Sequence, residues 1–123
     1  MRKKRIRVFV PGNVGEPAIP VEHIDREGGM PISGVVRMPR GEAWGVVREG
    51  RVVSWAVARE PDERGVRHIT AETDLAHRGH GYAAACVQAA VRAVKEPVVY
   101  ECEAGNAASA RTALKAGLVE QRP

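Results

Sequence analysis

Aromatic residues are scarce in this 123-residue chain, and cysteine is equally rare. One Phe, two Trp and two Tyr make up 4% of the sequence, so the core has to be built from Val, Ile, Leu and especially Ala. Small side chains of this kind suit close packing of a helix on a sheet. Two cysteines are too few for a disulfide scaffold. No apolar stretch is long enough to span a bilayer, so we expect no membrane association.

The first residues, 1–7, are mostly basic, like the start of a signal peptide. The apolar run at 8–10 before Pro11 is too short for export, so the expected compartment is the cytoplasm. The chain has 19 Lys and Arg against 15 Asp and Glu, a formal net charge of +4. This surplus suits a polyanionic ligand. No aromatic residues interleave with the basic run, however, so we do not expect a nucleic-acid partner.

The composition, 44% apolar and 28% charged, predicts a single globular domain. Residues 1–42 form a segment rich in Gly and Pro. Within it we expect one strand at residues 5–10, where charged and apolar side chains alternate, and one helical turn at residues 21–26. Residues 43–119 should form the core of the domain, and residues 120–123 a tail.

Strand patterns follow one another in the middle of the chain. Residues 43–48 and 52–59 are apolar runs joined by a short link containing Gly50, which predicts a β-hairpin. After a turn at residues 61–65, residues 66–73 should form a third strand. These three strands predict an antiparallel meander.

A strand and two helices complete the pattern. Residues 81–95 lack internal Gly and Pro and are rich in Ala, which predicts a helix. Residues 98–102 have the composition of a buried strand, and a strand-helix-strand succession implies a parallel pair. The last helix should span residues 106–115, with Asn106 at its N-cap and Gly117 after its end. The predicted class is therefore α/β, with a mixed sheet.

The link between the third strand and the first helix reads Arg78-Gly-His-Gly-Tyr-Ala83. Its glycines let the backbone turn sharply and present unpaired N–H groups where the helix begins, a geometry that binds phosphate. A triphosphate loop would need Lys and then Ser or Thr after its last Gly, and a dinucleotide fingerprint would need a third Gly. A pyrophosphate cradle of another kind and a plain strand-to-helix turn both remain open.

The second half of the chain adds another ordered motif. It resembles the signature of the GCN5-related N-acetyltransferase (GNAT) family: strand, Arg or Gln-x-x-Gly-x-Gly or Ala, helix, strand, then Asn-x-x-Ser or Ala leading to Gly-Phe. The residues that carry the resemblance are Arg78, Gly81, Ala83, Asn106, Ser109 and Gly117. Leu118 stands where Phe is usual. The resemblance covers about residues 43–119 and is closest to the family's shorter branch.

The resemblance implies an acyl-CoA N-acyltransferase fold, with acetyl-CoA as cosubstrate and no metal. In this family the last meander strand and the next parallel strand splay apart around the pantetheine arm, here residues 71–73 and 100–102. Amides of the turn would hold the pyrophosphate and Asn106 the pantetheine arm, although an ordinary N-cap explains Asn106 as well. The implied cofactor-binding residues are Ala71, Thr73, Arg78, Gly79, His80, Gly81, Tyr82, Ala83, Ala84, Asn106 and Ser109.

The implied activity is transfer of an acetyl group to a primary amine, a small molecule or a peptide. An ammonium has no lone pair, so a base must take its proton. Glu101 and Glu72 are the candidate catalytic residues, and an exposed strand glutamate explains either of them as well. Family members that use a Tyr as general acid carry it where this chain has Ala113. The alternative function is therefore a catalytically silent acyl-CoA-binding module.

Three further expectations concern metals, cysteine and the sheet edge. His68, His77 and His80 lack the Cys or carboxylate spacing of a metal site, and Cys102 is better explained as a small buried residue than as a nucleophile. Only residues 118–123 follow Gly117, where the family has two further strands. Because an unfinished sheet exposes an edge, we predict a homodimer or a partner that completes it.

Overall fold

The structure, a computed structural model, describes residues 5–28, 31–33 and 37–122. Its helices are α1, Tyr82–Ala93, and α2, Ala107–Lys115. The strands are β1 Ile6–Pro11, β2 Glu22–Ile24, β3 Glu42–Arg48, β4 Arg51–Ala58, β5 Arg67–Thr73, β6 Val98–Glu103 and β7 Leu118–Gln121. They form one mixed sheet in the order β2-β3-β4-β5-β6-β1-β7, which confirms the predicted class.

Strands β3, β4 and β5 form the predicted antiparallel meander. Glu49 and Gly50 connect β3 to β4 with φ angles of 52° and 74°. Two successive positive φ angles match the twist of the flanking strands, which makes this link a good hairpin turn. The next turn is held by Asp62, whose carboxylate accepts hydrogen bonds from the N–H groups of Arg64 and Val66.

Both helices pack on the same face of the sheet. Ala84, Val87 and Ala90 of α1 and Ala113 of α2 belong to one buried cluster, together with Phe9 of β1. The small alanine side chains let the helices approach the strands closely, as the composition predicts. Among the described residues, no helix is both long enough and apolar enough to cross a membrane.

The helical turn expected at residues 21–26 is wrong. Strand β2 forms there instead and pairs with β3. The pairing with β3 explains the strand, and its one buried residue, Ile24, packs in a second cluster with Met38, Trp55 and Val57. The described part of segment 1–42 therefore contributes strands β1 and β2, where one strand was expected.

The expected unfinished sheet is also wrong. Strand β7 follows Gly117, and β1 lies between β6 and β7, antiparallel to both. Arg7 of β1 donates two 2.8 Å hydrogen bonds to the carboxylate of Glu120 on β7, which ties the two strands together. The place beside β6 is thus filled by the N-terminal strand. Residues 1–4 of the basic run lie outside the described ranges.

Candidate active site

Strands β5 and β6 are paired over only part of their length. Their parallel pairs run from Arg67–Val98 to Ile69–Tyr100 and stop there. Beyond that point β5 stays bonded to β4 and β6 stays bonded to β1. The two strands therefore diverge, and no strand of the described chain bonds their facing edges. An extended ligand can hydrogen-bond in such a gap as an added strand does.

The gap opens into a cavity of about 580 Å³ between the ends of β5 and β6 and the starts of the two helices. Every predicted cofactor-binding residue except His80 lines it. Of the two candidate bases, Glu72 lines the cavity and Glu101 does not. The structure thus brings together the two motifs, which are far apart in sequence.

Helix α1 begins without a side-chain cap. Gly79 and Gly81 have φ angles of 89° and 75°, the left-handed region in which glycine is favoured. The first intrahelical hydrogen bond runs from the N–H of Ala85 to the carbonyl of Gly81. Across the described residues, the N–H groups of residues 79–84 have no acceptor. Together with the helix dipole, these amides form a site suited to an anion.

Two basic residues of α2 line the same cavity, and neither was among the predicted site residues. The Nζ atom of Lys115 lies 2.8 Å from the position that a Cβ on Gly81 would take, and Arg111 lies one turn earlier. Ala108 and Thr112 line the cavity from the same helix. Helical spacing could have found this stripe, because Thr112 is three residues from Ser109, Lys115 is three residues further on, and Arg111 is four residues before Lys115.

Arg78 is folded back onto β5. Its Nε donates a 3.1 Å hydrogen bond to the carbonyl of Thr73, and its Nη2 donates one of 3.1 Å to the carboxylate of Glu72. The guanidinium of Arg78 therefore forms an ion pair with Glu72 at the opening of the gap. The ring of His80 lies against that of Tyr82, with 5.4 Å between centroids.

The start of α2 is capped by the protein itself. The side-chain oxygen of Asn106 accepts a 3.1 Å hydrogen bond from the N–H of Ser109. The hydroxyl of Ser109 lies 2.7 Å from that of Tyr100, a cavity residue that the sequence analysis did not single out. Burial raises the pKa of Tyr100. The signal for Tyr100 is its alternation with buried Cys102 on β6, which places both on the helix-covered face.

Glu101 takes part in a chain of three side chains on the other face of the sheet. Its Oε1 lies 2.6 Å from Nδ1 of His68, and Nε2 of His68 lies 2.9 Å from Oδ2 of Asp62. The hydrogen bond that Asp62 accepts and then the one that Glu101 accepts raise the pKa of His68. The same contact with His68 keeps the pKa of Asp62 well below its usual range.

Metal-ligating side chains of the described residues form no metal-binding group, and the thiols among them are buried. No group of three or more His, Cys, Asp or Glu side chains among them could hold a metal ion. Cys86 and Cys102 are free and buried. Burial raises the pKa of Cys86 to about 12, so that thiol stays protonated at neutral pH.

Comparison with known proteins gives one family. A sequence model of the acetyltransferase (GNAT) family matches residues 15–118. Three solved structures share the fold: a putative GNAT-family acetyltransferase from Novosphingobium aromaticivorans (18% identity, TM-score 0.68), a GNAT-family acetyltransferase from Colwellia psychrerythraea (13%, 0.64) and a GCN5-related N-acetyltransferase-like protein from Streptococcus suis (17%, 0.63). A comparison with curated proteins finds no match.

The alignments cover 95%, 96% and 98% of this chain, but only 59%, 53% and 59% of those three proteins. A mixed sheet that splits beside an uncapped helix start is a geometry suited to an extended ligand that carries a phosphate group. Because the family model matches most of the chain, the particular family follows: the chain belongs to the GNAT acetyltransferases. The resemblance inferred from residues 43–119 is confirmed and extends further toward the N-terminus.

Proposed function

We propose that this protein transfers an acetyl group from acetyl-CoA to a primary amine. One observation carries the proposal. The unpaired edges of β5 and β6 lead directly to the free amides of residues 79–84. An amide-bearing arm that ends in a pyrophosphate matches this arrangement group by group, since the edges bind amides and the helix start binds the diphosphate.

The residues present fit coenzyme A in charge as well as in shape. Arg111 and Lys115 add positive charge beside the free amides of residues 79–84. The NH₂ group of Asn106 has no acceptor among the described residues and lines the cavity, so it is available to a carbonyl of the pantetheine arm. Ser109 already bonds Tyr100, so we propose a contact role for it that is secondary to that of Asn106.

Acetyl transfer also needs a base for the acceptor amine. We propose that Glu72 or Glu101 takes this proton, because both lie on the strands that form the gap. Glu72 lines the cavity but is bonded to Arg78, whereas Glu101 lies outside it and is bonded to His68. An effective general base accelerates a reaction by roughly 10² to 10⁴.

Calorimetry with coenzyme A and thiol release from acetyl-CoA with a panel of primary amines test the proposal. We expect micromolar binding and turnover with at least one amine, reduced about 100-fold or more in Glu72→Gln or Glu101→Gln. The amide side chain keeps the shape of the carboxylate and removes its basicity. Absence of any heat on adding coenzyme A would refute the assignment.

A catalytically silent acyl-CoA-binding module is the second candidate. One observation favours it: Ala113, which stands where some family members carry a Tyr as general acid, is fully buried and offers no functional group. Coenzyme A binding without turnover of any amine, unchanged by both glutamine variants, would establish this alternative.

We also propose that the protein works in the cytoplasm and forms a homodimer. Two free, buried cysteines fit a reducing compartment. Strands β2 and β7 are the two edges of the described sheet, and pairing of either edge between two copies would cover it. Light scattering at micromolar concentration tests the dimer, and a monomeric mass would exclude it.

A further inference from the structure

His68 is a titratable side chain outside the cavity that links two carboxylates. Its imidazole lies between two carboxylates, with 2.6 Å to Glu101 and 2.9 Å to Asp62. Asp62 is itself fixed, because its Oδ1 accepts hydrogen bonds from the N–H groups of Arg64 and Val66 at 2.9 and 3.0 Å. The chain Asp62–His68–Glu101 therefore runs from a rigid turn to β6.

The position of Glu101 connects these three side chains to the gap between β5 and β6. Glu101 is the first residue of β6 after the last β5–β6 pair, Ile69–Tyr100, so it stands where the gap begins. Its side chain is 42% exposed and would rotate freely without a partner. Since His68 holds Oε1, the orientation of the carboxylate is set and Oε2 is left for another proton donor.

The partners of the two candidate bases differ in kind. Glu72 is bonded to Arg78, a guanidinium that never releases its proton in water, so its carboxylate faces a permanent cation. Glu101 is bonded to an imidazole, which can change its charge near physiological pH. The acid–base properties of Glu101 can therefore be adjusted by its neighbour, and those of Glu72 cannot.

Building on the proposed acetyl transfer, we propose that His68 is a positioning residue, which with Asp62 orients Glu101 as the base for the acceptor amine. Oε2 of Glu101 takes one proton from R–NH₃⁺ and leaves R–NH₂. The amine nitrogen forms a bond to the thioester carbon, the carbon–sulfur bond breaks, and the thiolate takes the second proton from nitrogen. Glu101 then gives its proton to water, so that the acetylated amine, coenzyme A thiol and H⁺ are the products.

This arrangement also predicts a pH dependence of kcat, which a histidine with a purely structural role would not produce. The charged groups that act on His68 are Asp62 from the turn and Glu101 from β6. On the β4 side, the backbone N–H of Arg59 donates a 3.0 Å hydrogen bond to the carbonyl of His68. A protonated imidazole donates to both carboxylates. At high pH it loses one donor, the orientation of Glu101 is released and kcat falls.

Three variants and one control test the inference. His68→Gln should reduce kcat by about 100-fold, the usual effect of a misplaced catalytic group, with coenzyme A affinity unchanged. Asp62→Asn removes the carboxylate that most raises the pKa of His68, so the alkaline fall in kcat should move to lower pH. Glu101→Gln should lose activity at every pH. His23→Gln is the matched control. His23 lies on the remote strand β2 and also pairs with a carboxylate, that of Glu42 on β3.

The failures are distinguishable. If the wild type acetylates an amine and Glu101→Gln is inactive while His68→Gln keeps the wild-type rate and pH profile, the positioning role is wrong and the proposed function stands. If Glu101→Gln remains fully active, Glu72 is the base and the inference falls. If coenzyme A binds but the wild type acetylates no amine at any pH, the proposed function fails together with the inference.

Discussion

The two helices begin at the same end of neighbouring parallel strands, yet their first turns are completed in opposite ways. Asn106 closes the start of α2 by accepting the N–H of Ser109. Gly81 opens α1 and has no side chain with which to do so. Every helix has orphan amides in its first turn. The difference teaches that this chain caps one helix start with its own side chain and leaves the amides of the other without an acceptor among the described residues, a geometry suited to an external anion.

The test with the largest expected effect gives the start of α1 a side-chain cap, as Asn106 gives one to α2. In Gly81→Asp, a carboxylate at the N-cap can accept the first-turn amides and repels a diphosphate. Asp tolerates the left-handed conformation of residue 81, and the nearest obstacle is the flexible end of Lys115. We expect coenzyme A affinity, measured by calorimetry, to fall about 100-fold.

Gly50→Asp is the matched control for backbone strain. Gly50 has a φ angle of 74°, close to the 75° of Gly81, and no atom lies within 4 Å of an added Cβ. Both variants should lose about 1–2 kcal/mol of folding stability. Only Gly81→Asp should lose coenzyme A binding, and equal binding in the two variants would show that the amides of α1 are not the anion site.

A smaller effect is expected from the cation beside the open helix end. Lys115→Met keeps the length of the side chain and removes the charge that lies next to Gly81. An exposed charge at such a site contributes about 0.3–1 kcal/mol, so the dissociation constant should rise roughly two- to fivefold, more at low salt. Lys95→Met, beyond the far end of α1, should bind as the wild type does. Identical affinities of the two variants would remove Lys115 from the anion site.

Substitution of the capping residue at the start of α2 should change the folding stability more than the affinity for coenzyme A. Asn106→Ala removes the cap and should cost about 1 kcal/mol, which lowers the melting temperature by roughly 4 °C in a domain of this size. Asn106→Asp keeps an accepting oxygen and should restore the melting temperature. If both variants melt like the wild type, the cap does not stabilise α2.

Short-range patterns in the sequence were sufficient for the meander and both helices. Gly50 marks the hairpin, and the alanines of residues 81–95 mark α1, because turn geometry and helix propensity act locally. Local patterns were also sufficient to predict the free amides of residues 79–84, because a helix that starts after Gly79 and Gly81 has no side-chain cap wherever it lies in the fold. The gap between β5 and β6 came from the family resemblance, and the observed pairing agrees with it.

Long-range pairing explains what sequence reasoning missed. Nothing in residues 6–11 indicates that β1 inserts between β6 and β7, because strand order depends on the whole sheet. The same limit hid the contacts between His68, Asp62 and Glu101, which meet across strands and a turn. Residues 21–26 became a strand through pairing with β3, a tertiary contact that overrides weak local preference.

The finest test concerns a hydroxyl pair beside the closed helix end. The hydrogen bond from Ser109 opposes the effect of burial on Tyr100, because burial raises the pKa of the phenol and the Ser109 contact lowers it. Ser109→Ala should therefore raise the pKa of Tyr100 further while leaving the Asn106 cap, which uses the backbone N–H, intact. Ultraviolet titration in a Tyr82→Phe background isolates Tyr100, the other tyrosine of the chain. An unchanged titration would mean that the hydroxyl of Ser109 does not stabilise the phenolate.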